Sequence, residues 1–457
     1  MPLAEVADIL DNKRVPINSK EREGRQGGIP YYGATGQVGW IDEHIFDEEL
    51  VLLGEDGAPF LDPGKPKAYV VRGKSWVNNH AHVLRARDVP TAWLHNYLNT
   101  INYRDFVTGT TRLKLTQAEM RKIMVPVAPK ATMLNVVAEI ERQFSRLDEA
   151  VASLQRVKAN LKRYKAAVQK SAVTGRLVPT EADLARCEGR NYETGAQLLH
   201  RIVETRRSQW QGKGKYKEPA APDTTDLPEL PEGWVWATTE QVCLQVASGS
   251  TPQSTAMFPD QGDVPFLKVY NLTFDGSLDF TVKPTFVARS THEGMLARSR
   301  SIPGDVLTNI VGPPLGKISV VPPDHPEWNI NQAIVTFRVS EAIMNWLLAY
   351  WLMAPPIQRR LERTAKATAG QFNLQVSTCR CLAIPLPPLP EQHRIVAEVD
   401  RLLSIAREAE AEVETNLKRA EGLRQAILAK AFRPNAVPPA PTFLIQGNCN
   451  ADARSTP

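Results

Sequence analysis

Residues 125–144 read VPVAPKATMLNVVAEIERQF, and residues 384–403 read IPLPPLPEQHRIVAEVDRLL. The two stretches align without a gap at an offset of 259 residues, and the same offset still aligns Val178-Pro179 with Val437-Pro438. Self-similarity at a long, fixed spacing indicates that the chain contains the same unit twice. Each copy has a variable part rich in Gly, Pro, Asn and aromatic residues, followed by a uniform part in which Pro and Gly are scarce.

The uniform part of each copy predicts one long helix. Its apolar residues are spaced alternately by three and four positions, which is the seam of a helix that packs against a single partner helix. The seam residues are Val137, Ile140, Phe144, Leu147, Val151, Leu154, Leu161 and Val168 in the first copy, and Val396, Val399, Leu403, Ala406, Val413, Leu417, Ala420 and Ile427 in the second. Because the other copy is the only sequence-matched partner, an intramolecular coiled coil is favoured over a homodimer. A helix of about 40 residues is ~60 Å long, so the pair is expected to act as a spacer.

The variable parts are predicted to be mixed α/β. Leu50–Leu53 and Ala333–Arg338 have the apolar, β-branched composition of strands, whereas Trp93–Asn99 and Trp346–Met353 have the pattern of helices. At 457 residues the chain has room for about two to four domains. The repeat therefore predicts two domains of similar construction rather than one large one.

The composition indicates a folded protein that is neither secreted nor embedded in a membrane. Hydrophobic residues make up 42% of the chain and charged residues 23%, which matches ordinary globular proteins. Five scattered cysteines are too few for a disulfide framework, and Cys379-x-Cys381 has no second pair with which to bind zinc. No signal-peptide pattern is present, and no apolar run is long enough to span a bilayer. A reducing cytoplasm is the expected location.

The sequence contains no recognisable catalytic constellation. Gly312–Ser319 resembles a phosphate-binding loop, but it is one residue short, and its prolines remove backbone N–H donors that such a loop needs. The tetrapeptide of amino-methyltransferases and the acidic motif of many nucleases are both missing. His80 and His82 have a spacing that suits a metal on a strand. Because the matching residues of the second copy are Gln332 and Ile334, a structural role is favoured.

Basic residues are clustered although the net charge is only +5. Residues 156–170 contain six basic side chains and no acid, and further clusters are Lys20/Arg22/Arg25, Arg112/Lys114/Arg121/Lys122, Arg298/Arg300 and Arg359/Arg360/Arg363/Lys366. A charged run on a helix is usually a solvated face, but loops that mix Lys and Arg with Asn, Gln and Thr suit phosphate anchoring and the reading of base edges. Two reading domains on a rigid spacer fit a two-part DNA site. A coiled-coil adaptor that binds only proteins fits the same pattern, so both interpretations stay open.

Longer motifs resemble the specificity (S) subunits of type I restriction-modification systems over nearly the whole chain. In the first copy these motifs are Ile29–Gly36 (IPYYGATG), Leu52–Gly57 (LLGEDG) and Val77–His82 (VNNHAH). In the second copy they include Leu230–Trp234 (LPEGW), Ile310–Lys317 (IVGPPLGK), Phe372–Leu374 (FNL) and Ile384–Gln392 (IPLPPLPEQ). The first copy departs from the pattern because it lacks the Pro-Glu-Gly-Trp lead of the second.

This resemblance implies an α+β protein with a pseudo-two-fold internal repeat. Two mixed α/β target recognition domains would be separated by two long helices that form an intramolecular antiparallel coiled coil, and each domain would read one half of a bipartite, asymmetric DNA sequence. The resemblance also implies that the chain is not an enzyme and binds no cofactor or metal. Two copies of a modification subunit would bind S-adenosylmethionine and methylate adenine, and restriction subunits would use Mg²⁺ and ATP. The expected partners are double-stranded DNA and these subunits, with no membrane.

The repeat and the resemblance together set the expected domain boundaries. They are target recognition domain 1 at 1–130, a central spacer helix at 131–175, a helical and proline-rich linker at 176–233, target recognition domain 2 at 234–388, a distal spacer helix at 389–432 and a disordered tail at 433–457. Within the linker, Thr180–Gln211 is expected to be an amphipathic helical stretch, and 213–231 is expected to be a polar, proline-rich connection.

Recognition domains diverge in order to read different bases, so the resemblance assigns no DNA contact to any residue of this chain. From the composition of the loops we predict the DNA-binding residues Arg25, Tyr31, Tyr32, Thr35, Thr110, Thr111 and Arg112 in the first domain, and Lys268, Asn271, Lys317, Gln371 and Asn373 in the second. For each of them the alternative stays open that it shapes a loop or the core, while only basic residues touch phosphate.

Overall fold

The computed structural model describes residues 1–212, 214–366 and 373–433, so the tail expected to be disordered lies outside the described residues from 434 on. The helices are α1 (Leu3–Val6), α2 (Ser19–Glu23), α3 (Thr91–Leu98), α4 (Gln117–Arg121), α5 (Lys130–Val173), α6 (Glu181–Glu188), α7 (Gly195–Ser208), α8 (Thr239–Val242), α9 (Arg289–Glu293), α10 (Asn345–Met353), α11 (Pro355–Lys366), α12 (Val376–Arg380) and α13 (Leu389–Ala431). The strands are β1 (Ala7–Ile9), β2 (Ile29–Gly33), β3 (Gly36–Ile41), β4 (Phe46–Asp47), β5 (Leu50–Gly54), β6 (Ala68–Val71), β7 (Lys74–Val77), β8 (Ala81–Ala86), β9 (Val107–Thr108), β10 (Lys114–Leu115), β11 (Val235–Thr238), β12 (Cys243–Ser248), β13 (Phe258–Pro259), β14 (Val264–Leu267), β15 (Thr285–Val287), β16 (Arg300–Ser301), β17 (Val306–Asn309), β18 (Ile318–Val320), β19 (Trp328–Ile330), β20 (Ile334–Val339) and β21 (Ala383–Leu386). The chain divides into two compact units, of which the first comprises residues 1–157 with the described residues from 412 on, and the second comprises 158–411.

Two four-stranded sheets form the first unit. One has the order β1-β8-β5-β6 with antiparallel neighbours, and the other has the order β3-β2-β7-β4, in which β2 and β7 are parallel. Strand β5 is buried along its whole length. Val51 and Leu53 lie in one core cluster with Trp93 of α3, whereas Leu50 and Leu52 point to the opposite face and lie in another cluster. Burial of both faces explains why this strand is a continuous apolar run instead of an alternating one.

The second unit repeats this arrangement. Its sheets have the orders β12-β20-β17-β18, with antiparallel neighbours, and β13-β15-β14-β19-β16, in which β14 and β19 are parallel. Strands β12, β20, β17 and β18 thus take the places of β1, β8, β5 and β6, and the parallel pair β14–β19 takes the place of β2–β7. The helix after β20 is α10, just as α3 follows β8. The repeat found in the sequence is therefore a repeat of topology.

Each unit contains an antiparallel pair of helices made from parts of α5 and α13. In the first unit Ile140 and Ile427 line the same groove between the helices. Farther along α5, the contacts are with an earlier residue of α13. The guanidinium of Arg424 lies 4.9 Å from the ring centroid of Phe144 and pairs with Asp148. Contacts that move forward along one helix and backward along the other define an antiparallel pair.

The helix pair of the second unit has the same direction. Lys165 pairs with Glu410 at 2.7 Å, and Arg394, which lies earlier on α13, donates to the carbonyl oxygen of Pro179, which lies later in the chain, at 3.3 Å. The seam residues predicted for α13 that are buried are Val396, Val399, Leu403, Ala406, Val413 and Ala420. The predicted fold class, α+β with an intramolecular antiparallel coiled coil, is confirmed.

The two long helices begin with the same backbone bond but with different side chains. Met133 N–H donates to Pro129 O, and Gln392 N–H donates to Pro388 O, each at 3.1 Å and at the offset of the repeat. Met133 is a buried apolar residue. The buried Gln392 instead accepts the backbone N–H of Met344 at 3.0 Å through its Oε1. One copy therefore fixes its helix start by apolar packing and the other by hydrogen bonds.

The stretch expected to be helical between the copies contains two helices, α6 and α7. Thr180 caps α6 by accepting from Asp183 N–H, and the helix ends at Gly189, whose φ of 65° is in the left-handed region that glycine adopts readily. A capping box at Thr194 and Gln197 then begins α7. The break is therefore encoded locally by a glycine terminator and a new N-cap.

Candidate nucleic-acid interface

Loops of the first unit meet at the ends of its strands. The turn between β9 and β10 carries Arg112, whose Nη2 donates to Oδ1 of Asp56 at 2.8 Å. Asp56 follows β5 and forms a backbone bridge with Lys114 of β10. The ring of His80, between β7 and β8, places its Nδ1 2.6 Å from the same oxygen of Asp56. Three loops that are distant in sequence thus share one carboxylate, which fixes their positions relative to one another.

The polar side chains of these loops are arranged with donors outside and acids beneath. The side chains of Arg112 and Lys114 are 61% and 50% exposed, whereas those of their partners Asp56 and Glu55 are 21% and 14% exposed. An ion pair at such an exposed position contributes little stability, but it holds the cation in a defined direction. Outward-facing guanidinium and ammonium groups are suited to phosphate oxygens and guanine edges.

A buried polar network lies beneath this surface. Asp11 places Oδ2 2.6 Å from Nδ1 of His82, and its Oδ1 accepts the backbone N–H of Val83 at 2.8 Å. Arg14 donates to Oε2 of Glu55 at 2.7 Å. Burial alone would raise the pKa of Asp11, but the hydrogen bonds from His82 and Val83 and the nearby positive charges outweigh burial and lower this pKa. The network therefore holds a carboxylate, not a carboxylic acid, inside the first unit.

The same network has the spacing of a metal site but not its chemistry. One ligand atom each from Asp11, Glu55 and His82 lies within 4.8 Å of the others. However, Nε2 of His82 faces the carbonyl oxygen of Leu115 at 2.9 Å, while Nδ1 faces Asp11. Both ring nitrogens of His82 are therefore engaged within the protein, and neither faces an open position where a metal could bind. Arg14 also supplies positive charge between the two acids. These contacts favour the structural role that the sequence suggests for His82.

Four of the residues predicted for the first domain lie in exposed turns. Thr110, Thr111 and Arg112 are consecutive in the β9–β10 turn, and Thr35 is exposed in the β2–β3 turn. The first of these turns depends on Gly109, which has a φ of 99°, and a Cβ there would lie 2.5 Å from the carbonyl oxygen of Arg112. Contact of these four residues with DNA stays a prediction.

The other three predicted residues of the first domain lie outside these turns. Tyr31 is only 1% exposed, and its hydroxyl donates to a backbone carbonyl. Tyr32 is half-buried and lies next to another tyrosine ring. Arg25 is already paired with Asp42 at 2.8 Å and with Glu43 at 2.9 Å. These placements favour the structural role that the sequence left open, most clearly for Tyr31.

In the second unit a buried asparagine holds the loop Gly312–Lys317. The Nδ2 of Asn309 donates to Pro314 O, and its Oδ1 accepts the N–H of Lys317, both at 3.0 Å. Lys317 Nζ then donates to the carbonyl oxygen of Val269 at 3.1 Å. These bonds join the loop to the turn at 268–271. The loop is thus held by one side chain. The N–H and the ammonium group of Lys317, which a phosphate-binding loop would direct at phosphate, are both bonded within the protein.

The remaining predicted residues of the second domain have different surroundings. Asn271 is 1% exposed; it accepts the N–H of Lys268 at 3.0 Å and donates to two backbone carbonyls. This is a structural role. Lys268 is half-buried beside it, whereas Asn373 is exposed and forms a bridge with Val311. Gln371 lies outside the described residues. Contact of Lys268, Lys317 and Asn373 with DNA stays a prediction.

The loop sites of the two units correspond. The bridge between Asp56 and Lys114 follows β5 in the first unit, and the bridge between Val311 and Asn373 follows β17, which takes the place of β5 in the second. Lys114 and Asn373 are also 259 residues apart, which is the offset of the repeat. Both units therefore place a loop of the same origin at the same strand end.

The residues that organise these sites were missed by the sequence analysis. Asp56 joins the loops of the first unit through its bonds to Arg112 and His80. Asn309 holds the loop Gly312–Lys317 of the second unit. A signal for each was available, because Asp56 belongs to the LLGEDG motif and Asn309 directly precedes IVGPPLGK. Loop composition indicates which side chains could touch DNA, but it does not indicate which polar residues hold the loops in place.

The basic run at 156–170 lies on α5 and not in the loops. Lys165 is half-buried and pairs with Glu410, whereas the other five basic side chains are exposed. This placement fits a solvated helix face. Within the part of the chain that the structure describes, no helix combines the length and the apolar character needed to cross a bilayer.

Comparisons with known proteins agree with this architecture. The family model described as "Type I restriction modification DNA specificity domain" matches residues 1–163 and 231–419. A candidate type I restriction enzyme specificity subunit of Haemophilus influenzae is 36% identical over 137 residues, which are 30% of this chain and 34% of that protein. The type I restriction enzyme EcoBI specificity subunit of Escherichia coli is 26% identical over 351 residues, which cover 74% of this chain and 64% of that protein. The matches thus span less than two thirds of the length of either relative.

A solved structure shows the same fold over nearly the whole chain. It is described as the structural basis of complex assembly and conformational transition of the type I R-M system, and one of its chains aligns with a TM-score of 0.59 at 17% identity. The alignment covers 95% of this chain and 97% of that chain. The family model matches both copies of the repeat and more than half of the residues. The chain therefore belongs to the family of type I restriction modification DNA specificity domains.

Proposed function

We propose that this chain is the DNA sequence-specificity subunit of a type I restriction-modification complex and that it binds a bipartite, asymmetric DNA target. Each unit would read one half of the target with the loops at its strand ends. The observation that carries this proposal is the repeated bridge, Asp56–Lys114 in one unit and Val311–Asn373 in the other. Two loop sets of common origin but different side chains are what a protein needs in order to read two different half-sites.

The exposed side chains of these loops supply the chemistry of DNA reading. Arg112 and Lys114 can anchor phosphate or donate to the O6 and N7 atoms of guanine. The amide of Asn373 can both donate and accept, which matches the N6 and N7 atoms of adenine. The chain would thus contribute contacts that select a sequence. Its relatives are described as specificity subunits, which supports a role in selection and not in catalysis.

Catalysis would belong to partner subunits. Two copies of the modification subunit would bind S-adenosylmethionine and methylate adenine, and restriction subunits would bind Mg²⁺ and ATP. The presence of one α5–α13 helix pair in each unit supports two equivalent attachment sites. The isolated chain is accordingly expected to transfer no methyl group and to cleave no DNA, and robust activity without other subunits would contradict this part of the proposal.

Binding measurements on the assembled complex test the proposal. The chain is co-purified with its modification subunit, and methylated adenines are mapped across the source genome in order to find the two half-sites. Duplexes with both half-sites are expected to bind more tightly than duplexes with either half-site scrambled, over a range of salt concentrations. Equal binding of all duplexes across that range would contradict the proposal.

A double variant separates DNA reading from a pure adaptor role. Replacing Arg112 and Lys114 with alanine is expected to weaken binding by about tenfold or more, because two outward cations of the first unit are lost. Arg72→Ala, which removes an exposed arginine paired with Glu49 in the same unit, serves as the control. An adaptor that binds only proteins would be unaffected by all of these substitutions.

A further inference from the structure

Helix α11 of the second unit has one buried face and one strongly basic face. Leu361 and Ala365 are 3% and 0% exposed and attach the helix to the core. Arg359, Arg360 and Arg363 are exposed on the other side. Residues that are three and four positions apart are neighbours on a helix surface, so Arg363 lies next to both Arg360 and Arg359. The three side chains line one cleft and are called the arginine patch below.

The arginine patch adjoins the loop that the proposed function assigns to DNA reading. Gln358, which precedes the patch on α11, lies directly over Gly316 of the loop Gly312–Lys317. A Cβ added to Gly316 would collide with the Gln358 amide, and Gly316 has a φ of 87° that favours glycine. The helix and the loop are therefore in direct contact, and the patch extends the surface on which Lys317 lies.

The charge of the arginine patch is not neutralised by ion pairs. Among residues 1–212, 214–366 and 373–433, no carboxylate lies within the 4.0 Å ion-pair distance of Arg359, Arg360 or Arg363. Three neighbouring like charges without partners repel one another and attract anions from solution. In the first unit, by contrast, Arg25 and Arg72 have acidic partners. The loop residues Arg112 and Lys114 have acidic partners as well.

The proline-rich linker places two acids across a cleft from the patch. Asp223 and Asp226 line a cleft of about 520 Å³ together with the three arginines. Asp223 accepts hydrogen bonds from the backbone and the hydroxyl of Thr225. These bonds lower the pKa of Asp223, and the charge of Arg360 adds to the effect. The linker is held nearby because Thr238 donates to Ala220 O at 3.0 Å.

We propose that the arginine patch binds phosphates of the DNA backbone beside the second half-site, and that Asp223 and Asp226 compete with those phosphates for it. The inference rests on the proposed function and deepens it, because it names a surface that anchors DNA without reading bases. Backbone phosphates are fixed, closely spaced anions, whereas the two linker acids face the arginines without a direct ion pair. DNA would therefore displace the acids, and the linker would lower the affinity for every sequence alike.

Salt dependence of DNA binding tests the patch. The full chain, co-purified with its modification subunit, is compared with the variant Arg359→Gln/Arg360→Gln/Arg363→Gln on one duplex that contains both half-sites. The slope of log affinity against log salt is expected to become shallower by roughly one for each lost phosphate contact. Affinity should fall for target and scrambled duplexes by the same factor, because phosphates carry no sequence information. An unchanged slope and affinity would overturn the proposal.

A matched control removes the same charge elsewhere in the second unit. Arg176, Lys215 and Lys217 are exposed and have no acidic partner in the described residues, so Arg176→Gln/Lys215→Gln/Lys217→Gln lowers the net charge equally. This variant is expected to keep the wild-type slope. If it matched the patch variant, net charge and not the patch would control binding, and the proposal would be overturned. Circular dichroism of both variants verifies that they fold.

The competition is tested by neutralising the acids. Asp223→Asn/Asp226→Asn is expected to bind duplex DNA about two- to fivefold more tightly at low salt, and to have no such effect in the background of the patch variant. Unchanged affinity would overturn the role of the linker. Wild-type complex that binds DNA without preferring a sequence would refute the proposed function, while the slope comparison would still decide whether the patch binds phosphate.

Discussion

The indole N–H of Trp234 donates a hydrogen bond of 3.0 Å to Oε1 of Glu391. The carboxyl group is fully buried, and its other oxygen accepts the backbone N–H of Glu181 at 2.8 Å. Burial raises the pKa of Glu391, although these two bonds oppose the effect. The contact joins the LPEGW motif at the start of the second recognition domain to the PLPEQ motif at the start of α13. Two motifs that are far apart in the sequence are thus halves of one interaction.

Replacing Trp234 with phenylalanine is expected to destabilise the second unit by about 1–3 kcal/mol, because a buried carboxylate oxygen loses its donor. Urea unfolding measures the loss. Trp236→Phe is the matched control, since that indole donates to the exposed carbonyl of Pro228 at 3.2 Å, and it should cost less than about 0.5 kcal/mol. Equal losses of unfolding free energy in the two variants would show that the hydrogen bond to Glu391 stabilises the unit no more than an exposed one.

Asp11→Asn is expected to destabilise the first unit in a pH-dependent way. The folded pKa of Asp11 lies below its ordinary value of 3.8, so the carboxylate stabilises the fold above that value and loses this effect as the pH falls through the folded pKa. The gap in unfolding free energy between wild type and variant, about 2 kcal/mol at pH 6, should narrow below about pH 4. Urea unfolding at several pH values measures it. Asp8→Asn, which removes a partly exposed carboxylate paired with Arg87, is the control, and its free-energy gap is expected to be small at every pH. A gap for Asp11→Asn that stays constant with pH would contradict the prediction.

Asn309→Ala is expected to loosen the loop Gly312–Lys317 and to relax the sequence read at one half-site only. Its side chain is fully buried and makes the bonds that hold the loop, so about 1–3 kcal/mol of stability should also be lost. Mapping of methylated adenines measures the half-sites. Asn329→Ala removes an equally buried asparagine that bonds His292 in the same unit. If Asn329→Ala also relaxed the sequence requirement at this half-site, general destabilisation and not the loop would explain the effect of Asn309→Ala.

Phe432→Ala is expected to release the end of α13 in the first unit. The ring lies edge-on to Trp93 and Tyr97 of α3, with centroid distances of 4.7 and 5.4 Å, and its loss should cost about 2–3 kcal/mol. Amide hydrogen exchange in the last turns of α13 should become faster. Leu423→Ala, at an exposed position on the same helix, should leave exchange there unchanged. Protection that survives in Phe432→Ala would show that other contacts hold this end.

Local and periodic features of the fold were predictable from the sequence. Proline followed by a three-four seam predicted both long helices, which run from Lys130 to Val173 and from Leu389 to Ala431. The apolar run at Leu50–Leu53 predicted β5. The break at Gly189 was not predicted, because an amphipathic pattern continues on both sides of it. The parallel strand pairs β2–β7 and β14–β19 could not be predicted either, since no local pattern indicates which distant strand pairs with a given strand.

The candidate sites were predictable only in part, because their geometry depends on contacts between distant residues. The exposed turn at Thr110–Arg112 was recognised from its Gly, Thr and Arg content. Tyr31 was assigned to the same surface, but its burial depends on packing with Ile41 and Trp76 and could not be read from its motif. Asn271 is buried as well, since a polar residue in a loop can face inward to satisfy backbone groups.

The different helix starts of the two copies have a consequence for hybrid proteins. A recognition domain taken from the second copy brings Trp234, which needs the carboxylate of Glu391, whereas the first copy offers Thr132 and the apolar Met133 at the corresponding positions. An exchange of modules between the copies would therefore leave the buried indole donor or the buried acid without its hydrogen-bond partner. The exchange avoids this only if the first turn of the long helix moves together with its domain. Natural or engineered recombination should succeed when the junction lies within the helices and fail when it lies at their first turn.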